Sequence, residues 1–148
     1  MRKAAAMFDV KTFTTEEANH LLPLLTEHLK PLEEYHADML TLQVKIDALE
    51  LVMDKTENED SPNVREAKKL FEEINSLADE YNKLVDKIQG YGCYLKGIDP
   101  TLIDFFHTHE GRVVYLCWRL GEPTVSHWHE VGTGYGNRRP LSELTTPK

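Results

Sequence analysis

A chain of 148 residues with 41% hydrophobic and 28% charged side chains has the composition of one soluble globular domain with a modest core. Its net charge of −8 argues against the clustered Lys and Arg of a nucleic-acid-binding protein, and no stretch approaches the roughly 20 apolar residues of a membrane helix. Cys93 and Cys117 make no disulfide framework, and the opening MRKAAAMFDVKTF lacks the apolar centre of a signal peptide, so a cytoplasmic protein with reduced thiols is expected.

Residues 7–13 alternate loosely and fit either a short strand or a plain lead-in. A helix then starts at Thr14-Thr15-Glu16-Glu17, where Thr14 and Glu17 have the spacing of a capping box and the acids suit the positive end of the helix dipole. Apolar residues recur at Leu22, Leu25, Leu29, Leu32, Met39, Leu42, Ile46, Leu49 and Met53, with His36 in the remaining seam position. This is a heptad-like seam. Pro23 and Pro31 fall inside it and predict a kink or break, because each removes a backbone donor and crowds the preceding turn. A helix continuous over 15–53 would run roughly 58 Å at about 1.5 Å per residue.

The polar stretch DKTENEDSP (54–62) is a hairpin loop ending in a Ser-Pro helix start. A second helix follows, with a seam of Val64, Ala67, Phe71, Ile74, Ala78, Tyr81, Val85 and Ile88, widened by Leu70, Leu77 and Leu84, and Gly90 as its C-terminal cap. Beyond it the periodicity changes. YGCYLKG (91–97) reads as a short strand, IDPTLIDFF (98–106) as a turn at Asp99-Pro100 plus one helical turn, and HTHEG (107–111) as a polar connection. RVVYLCWRL (112–120) is the strongest strand signal, Gly121-Glu122-Pro123 turns it, and TVSHWHEV (124–131) returns. The glycine-rich remainder reads as loop, fraying at its end.

The expected architecture is therefore a single α+β domain. A long antiparallel helical hairpin (14–89) precedes a small antiparallel sheet (91–140) of three strands, or four if 7–13 joins, and a tail (141–148). The length of the first helix and its wide seam predict a homodimer formed through the hairpin.

Chemistry concentrates between Val113 and Pro140, which holds both tryptophans, Cys117 and a paired arginine. A tight turn at Gly121-Glu122, with Arg119 opposite Thr124, would put His127 and His129 on the face of Val114, Leu116 and Trp118. Three ligand readings arise, each with a structural alternative. His127 and His129, about 7 Å apart along a strand, could join His107 and His109 in binding zinc, iron or nickel, with Glu110, Glu130 and Cys117 as further donors. The alternative is that the strand histidines bond backbone carbonyls and the loop histidines are solvated. Arg119, Trp128, Glu130, Arg138 and Arg139 could form a small-anion pocket; the alternative is that the arginines anchor the tail to acidic helices. Gly132, Gly134 and Gly136 follow a strand but open no helix, so a nucleotide-binding loop is not indicated. Cys117 could act as a nucleophile beside a histidine, although a mid-strand cysteine next to tryptophan reads first as a small buried hydrophobe. No catalytic residue is assigned.

The segments FTTEEANHLLP (13–23), YLKGIDPTLIDF (94–105) and VYLCWRLGEP (114–123), with WHE (128–130) and the stretch from Gly134 to Pro140, resemble the bacterial domain-of-unknown-function family 2203. Its members are small uncharacterised proteins, some loosely labelled division initiation proteins, and no activity carries over. The resemblance implies that Cys117, Trp118, Arg119, Glu122, Trp128, His129, Glu130, Arg139 and Pro140 belong to the family pattern, whereas His107, His109 and His127 look individual to this chain. Two function classes remain: a non-enzymatic oligomerisation or interaction protein working through the hairpin, and a metal- or anion-binding protein, with enzymatic action included, using the Cys117–Arg139 region.

Overall fold

The computed structural model describes residues 10–54 and 56–144. Helix α1 (Thr15–Val52) and helix α2 (Pro62–Gln89) form the hairpin. A five-stranded antiparallel sheet follows, with strands β1 (Tyr94–Gly97), β2 (Leu102–His109), β3 (Arg112–Arg119), β4 (His127–His129) and β5 (Arg139–Pro140) in sequential order. A short helix α3 (Leu141–Leu144) closes the described chain. The expected α+β class holds, with a longer sheet than anticipated. The strand weighed for residues 7–13 is absent over 10–13, and residues 7–9 lie outside the described residues, as does the tail over 145–148.

The chain divides into two compact units, residues 28–86 and residues 1–27 with 87–148, so the division falls within both helices. In the first of these, Leu42, Ile46 and Leu70 are buried together, with Leu49, Ile74 and Leu77 packed against them, and His36 meets Tyr81 at a ring distance of 6.4 Å. The antiparallel seam is thus the one that three- and four-residue spacing predicts. One position moves: Leu70 takes the buried place and Phe71 faces outward.

Both helix starts follow from side-chain caps. The Thr14 hydroxyl accepts from the Glu17 backbone N–H at 3.0 Å, and Glu17 reaches back to the Thr14 N–H at 2.8 Å. Ser61 caps α2 by accepting from the Val64 N–H, and Pro62 opens the helix where its missing donor costs nothing. The expected break at Pro23 and Pro31 does not occur, since α1 is one helix through both. Pro23 faces outward, while Leu22, Leu25, Leu29 and Leu32 are buried. The carbonyl that loses its partner can bond water, and burial of the leucines outweighs the lost bond. The left-handed glycine after α2 is Gly92 (φ 101°), two residues later than the predicted cap.

The sheet corrects two local readings. Residues 102–109 form a strand, not a helical turn and loop. Its hairpin to β3 turns at Glu110-Gly111, both with positive φ (50° and 83°), the two-residue geometry that matches strand twist. The second correction is register. Cys117 pairs with His127 and Tyr115 with His129, so β4 is shifted by one residue from the assumed tight turn. Two bonds cause this: the Val125 N–H is taken by the Asn19 side chain at 2.7 Å, and the Arg119 N–H by the Glu122 carboxylate at 2.8 Å. A one-residue shift exchanges the faces of β4. Trp128 therefore joins the apolar face with Phe105, Leu116 and Trp118, and His129 joins Asp104 and Cys117 on the other.

Candidate functional site

Three chemically active side chains meet on that second face. Asp104 on β2 lies directly opposite Cys117 on β3, and Cys117 opposite His127 on β4, with His129 one step further along the same side. Asp104, Cys117 and His129 are only 2%, 1% and 2% exposed. Their ligating atoms all lie within 4.8 Å of one another. Phe106, Tyr115 and Tyr94 wall the group, with Phe106 stacked on Tyr115 at 4.7 Å and Tyr115 tilted against His129 at 5.3 Å. Lys96 places its ammonium 3.7 Å from Asp104 Oδ2 and 4.2 Å over the Tyr115 ring.

Hydrogen bonding settles most of the protons. His129 Nδ1 donates to the Glu130 carbonyl at 2.8 Å, because a carbonyl can only accept. Its Nε2 lies 3.1 Å from Asp104 Oδ2, so one proton is shared across that contact. Burial pulls the His129 pKa down, but the bonds to Asp104 and to Glu130, with the Asp104 charge, outweigh it and leave the pKa raised. The Cys117 thiol is pushed up to about 12, first by burial and then by the Asp104 carboxylate beside it. Asp104 Oδ1 is buried with no hydrogen-bond partner among the described residues.

This geometry speaks against the nucleophile reading of Cys117. The histidine holds Asp104 and a carbonyl, with no ring nitrogen left to act as base for the thiol, and a thiol titrating near 12 stays protonated.

The other predicted residues fall into separate places. His107 and His109 stand on the apolar side of the sheet, so the four histidines do not converge. His107 Nδ1 donates to the Phe13 carbonyl at 2.7 Å, and His109 faces Glu110 at 3.8 Å. His127 meets Ser126 at 3.0 Å and Glu122 at 3.8 Å. Arg138 does anchor the tail, but to the β3–β4 loop: its Nη2 bonds both Glu122 oxygens at 2.8 Å and the Cys117 carbonyl at 3.4 Å. Burial alone would raise the Glu122 carboxyl, yet the Arg119 N–H and the Arg138 guanidinium hold it below its usual range. Arg119 is exposed and donates to the Tyr135 hydroxyl at 3.1 Å.

A second group forms at the far end of the apolar face. Arg112 and Arg139 flank Trp128, with guanidinium carbons 5.6 and 5.5 Å from the ring, and Arg112 also bonds Glu130 at 2.6 Å. Of the anion-pocket residues anticipated from sequence, Trp128 and Arg139 stay together here, with Glu130 reached through Arg112, while Arg119 and Arg138 belong to the Glu122 latch.

Asp104, Lys96 and Tyr115 were not singled out from sequence. The available signal for Asp104 was an acid inside the apolar run LIDFF, which only a buried pairing partner makes tolerable.

The molecule is thus an α+β protein with a buried carboxylate–thiol–imidazole cluster set in a sequentially ordered antiparallel sheet. The sequence profile described as "Uncharacterized conserved protein (DUF2203)" matches residues 11–141, and the chain belongs to that family. No curated protein and no solved structure matches the chain. Among the described residues, no helix is long and apolar enough to cross a membrane.

Proposed function

We propose that this is a metal-binding protein whose ligands are Asp104, Cys117 and His129. The observation that carries the reading is that these three side chains, all but fully buried, converge while one Asp104 oxygen has no hydrogen-bond partner. A buried carboxylate oxygen left unbonded is costly, and a cation is one way to satisfy it. Thiolate, imidazole and carboxylate together suit zinc, with iron or nickel as rivals. Donors of a tetrahedral zinc lie about 3.3–3.8 Å apart, given legs of about 2.0–2.3 Å. The 3.1 Å between His129 Nε2 and Asp104 Oδ2 is close to that already. The His129 Nδ1 bond to a backbone carbonyl is the support that orients imidazole ligands in metal sites. Binding would displace the shared proton and the thiol proton, and Lys96, whose stem is partly exposed, would swing its ammonium toward solvent. Three protein ligands leave a fourth position for water or a small ligand.

The test is cobalt substitution of protein first stripped with chelator. One equivalent of Co²⁺ is expected to give a near-ultraviolet thiolate-to-metal charge-transfer band that Cys117→Ser abolishes and Asp104→Asn weakens. Zinc should raise the melting temperature of the wild type but not of Cys117→Ser. A wild type with neither band nor melting shift would overturn the reading.

A second reading, compatible with the first, is an association role in the cytoplasm as a homodimer formed through the hairpin. It is favoured by an apolar set on the outside of α1: Leu40, Val44 and Leu51, four and seven residues apart, with Val44 67% and Leu51 87% exposed. Residues at heptad-compatible spacing suit the same stripe of a second copy. Light scattering should give a dimer at micromolar concentration and a monomer for Val44→Glu with Leu51→Glu. A monomeric wild type would remove this reading.

A further inference from the structure

The cavity beside Trp128 is a second, unrelated candidate site, on the opposite face of the sheet from Asp104, Cys117 and His129. Its volume is about 490 Å³, and it is lined by His109, Glu110, Arg112, Trp128, Arg139 and Glu143, with Leu144 at its edge. We propose that it binds a small organic carboxylate, with Arg139 as the principal anion-holding residue and Trp128 as both wall and donor.

Three observations converge on that ligand class. First, Arg139 has no carboxylate partner among the described residues, where its guanidinium rests on the Trp128 ring at 5.5 Å. Arg112, by contrast, is already committed to Glu130 at 2.6 Å, so its charge is largely neutralised. Arg139 thus presents a free donor fork of the kind that takes a carboxylate through two parallel bonds. Second, Trp128 is 3% exposed and its indole N–H is buried without an acceptor. An unpaired buried donor is rare and calls for an acceptor that the described chain does not supply. Third, the cavity far exceeds a bare anion in volume and has Trp128 and Leu144 as apolar surface, which fits an acid carrying a hydrocarbon or aromatic body. Glu110 and Glu143 face the same space and oppose a second negative charge, which favours a monoanion over phosphate.

The β4–β5 pairing makes the arrangement specific to this fold. Trp128 and Arg139 are direct partners across that ladder, so their side chains rise from the same face at the closest lateral spacing a sheet allows.

The experiment uses Trp118→Phe protein in chelator, which leaves Trp128 as the sole tryptophan, and titrates benzoate while following its fluorescence. A saturable change is expected. Arg139→Ala, an exposed position that should not disturb folding, is expected to weaken benzoate by about tenfold or more, the weight of a charge-assisted hydrogen-bonded pair, and Arg139→Lys should recover only part of it. Inorganic phosphate, titrated in parallel, should bind more weakly than benzoate. Phosphate binding as well as benzoate would overturn the organic-carboxylate assignment, and a titration unchanged by Arg139→Ala, or no saturable change at all, would overturn the site. Because chelator is present throughout, the outcome is independent of whether Asp104, Cys117 and His129 hold a metal.

Discussion

Replacing His129 with leucine should destabilise the metal-free protein by about 3 kcal/mol or more at neutral pH, the loss expected when one partner of a buried pair is removed. The substitution leaves the Asp104 carboxylate buried with Lys96, 3.7 Å away, as its charge partner among the described residues. Replacing both members, Asp104→Leu with His129→Leu, should cost less than the single change, because no buried unpaired carboxylate then remains and Lys96 can turn to solvent. Urea unfolding in chelator measures both, read as midpoints at constant slope. A double variant as unstable as the single one would show that the pair's charge is not what matters. The pH dependence follows with a definite sign. The folded His129 has its pKa raised above the ordinary histidine value of 6.5. Its contribution is therefore complete below 6.5 and is lost as pH rises through the higher folded value. The wild type should lose stability as pH rises over that interval, and His129→Leu should lose the slope.

The second large effect is expected at the tryptophans, and the two should differ. Trp118 is 1% exposed, and its indole N–H donates to the Glu122 carbonyl at 2.9 Å. Trp118→Ala should cost about 3–5 kcal/mol, since a large cavity opens beside Ile103 and Leu116. Trp118→Phe should still cost about 1–3 kcal/mol, because the Glu122 carbonyl loses its donor. Trp128→Phe should be the milder of the two phenylalanine changes, although Trp128 is nearly as buried, because its N–H has no partner to lose. Matched urea curves decide it. Equal losses for Trp118→Phe and Trp128→Phe would mean that packing, and not the bond to Glu122, sets the cost at both sites.

What was legible in the sequence was what depends on near neighbours. The Thr14–Glu17 and Ser61–Val64 caps lie within three residues of each other, and the leucine spacing of α1 reports its own buried stripe. The register of β4 was not legible in this way. It rests on Asn19 capturing the Val125 N–H across 106 residues, and no local pattern near Gly121 contains that fact. With the register went the site. One residue of slip carried His129 from the face of Trp118 to that of Asp104 and Cys117, and replaced a four-histidine arrangement with a mixed carboxylate, thiol and imidazole group. Asp104 itself was hidden because Asp99-Pro100 drew the reading toward a turn and helix, whereas the run after it is strand from Leu102. Arg138 and Arg139 illustrate the same limit. They are adjacent in sequence and equally basic, yet pairing places one on Glu122 and the other beside Trp128.

The unit that carries the sheet is discontinuous in sequence, with residues 28–86 inserted between its two parts. This has a consequence for how the chain reaches its native state. The five strands are sequential neighbours, so the sheet can zip together one hairpin at a time with little loop-closure entropy to overcome. The N-terminal piece cannot join so cheaply. The Phe13 N–H must find the Phe106 carbonyl, and Asn19 must find Val125, over separations that span the whole insertion. The antiparallel helices shorten that search, because closing their seam removes most of the intervening chain from the loop. During synthesis the first turns of α1 emerge long before any strand they bond, so docking of Phe13 and Asn19 is a late event. The Asn19 bond to the Val125 N–H then holds the β4 register that brings Asp104, Cys117 and His129 together.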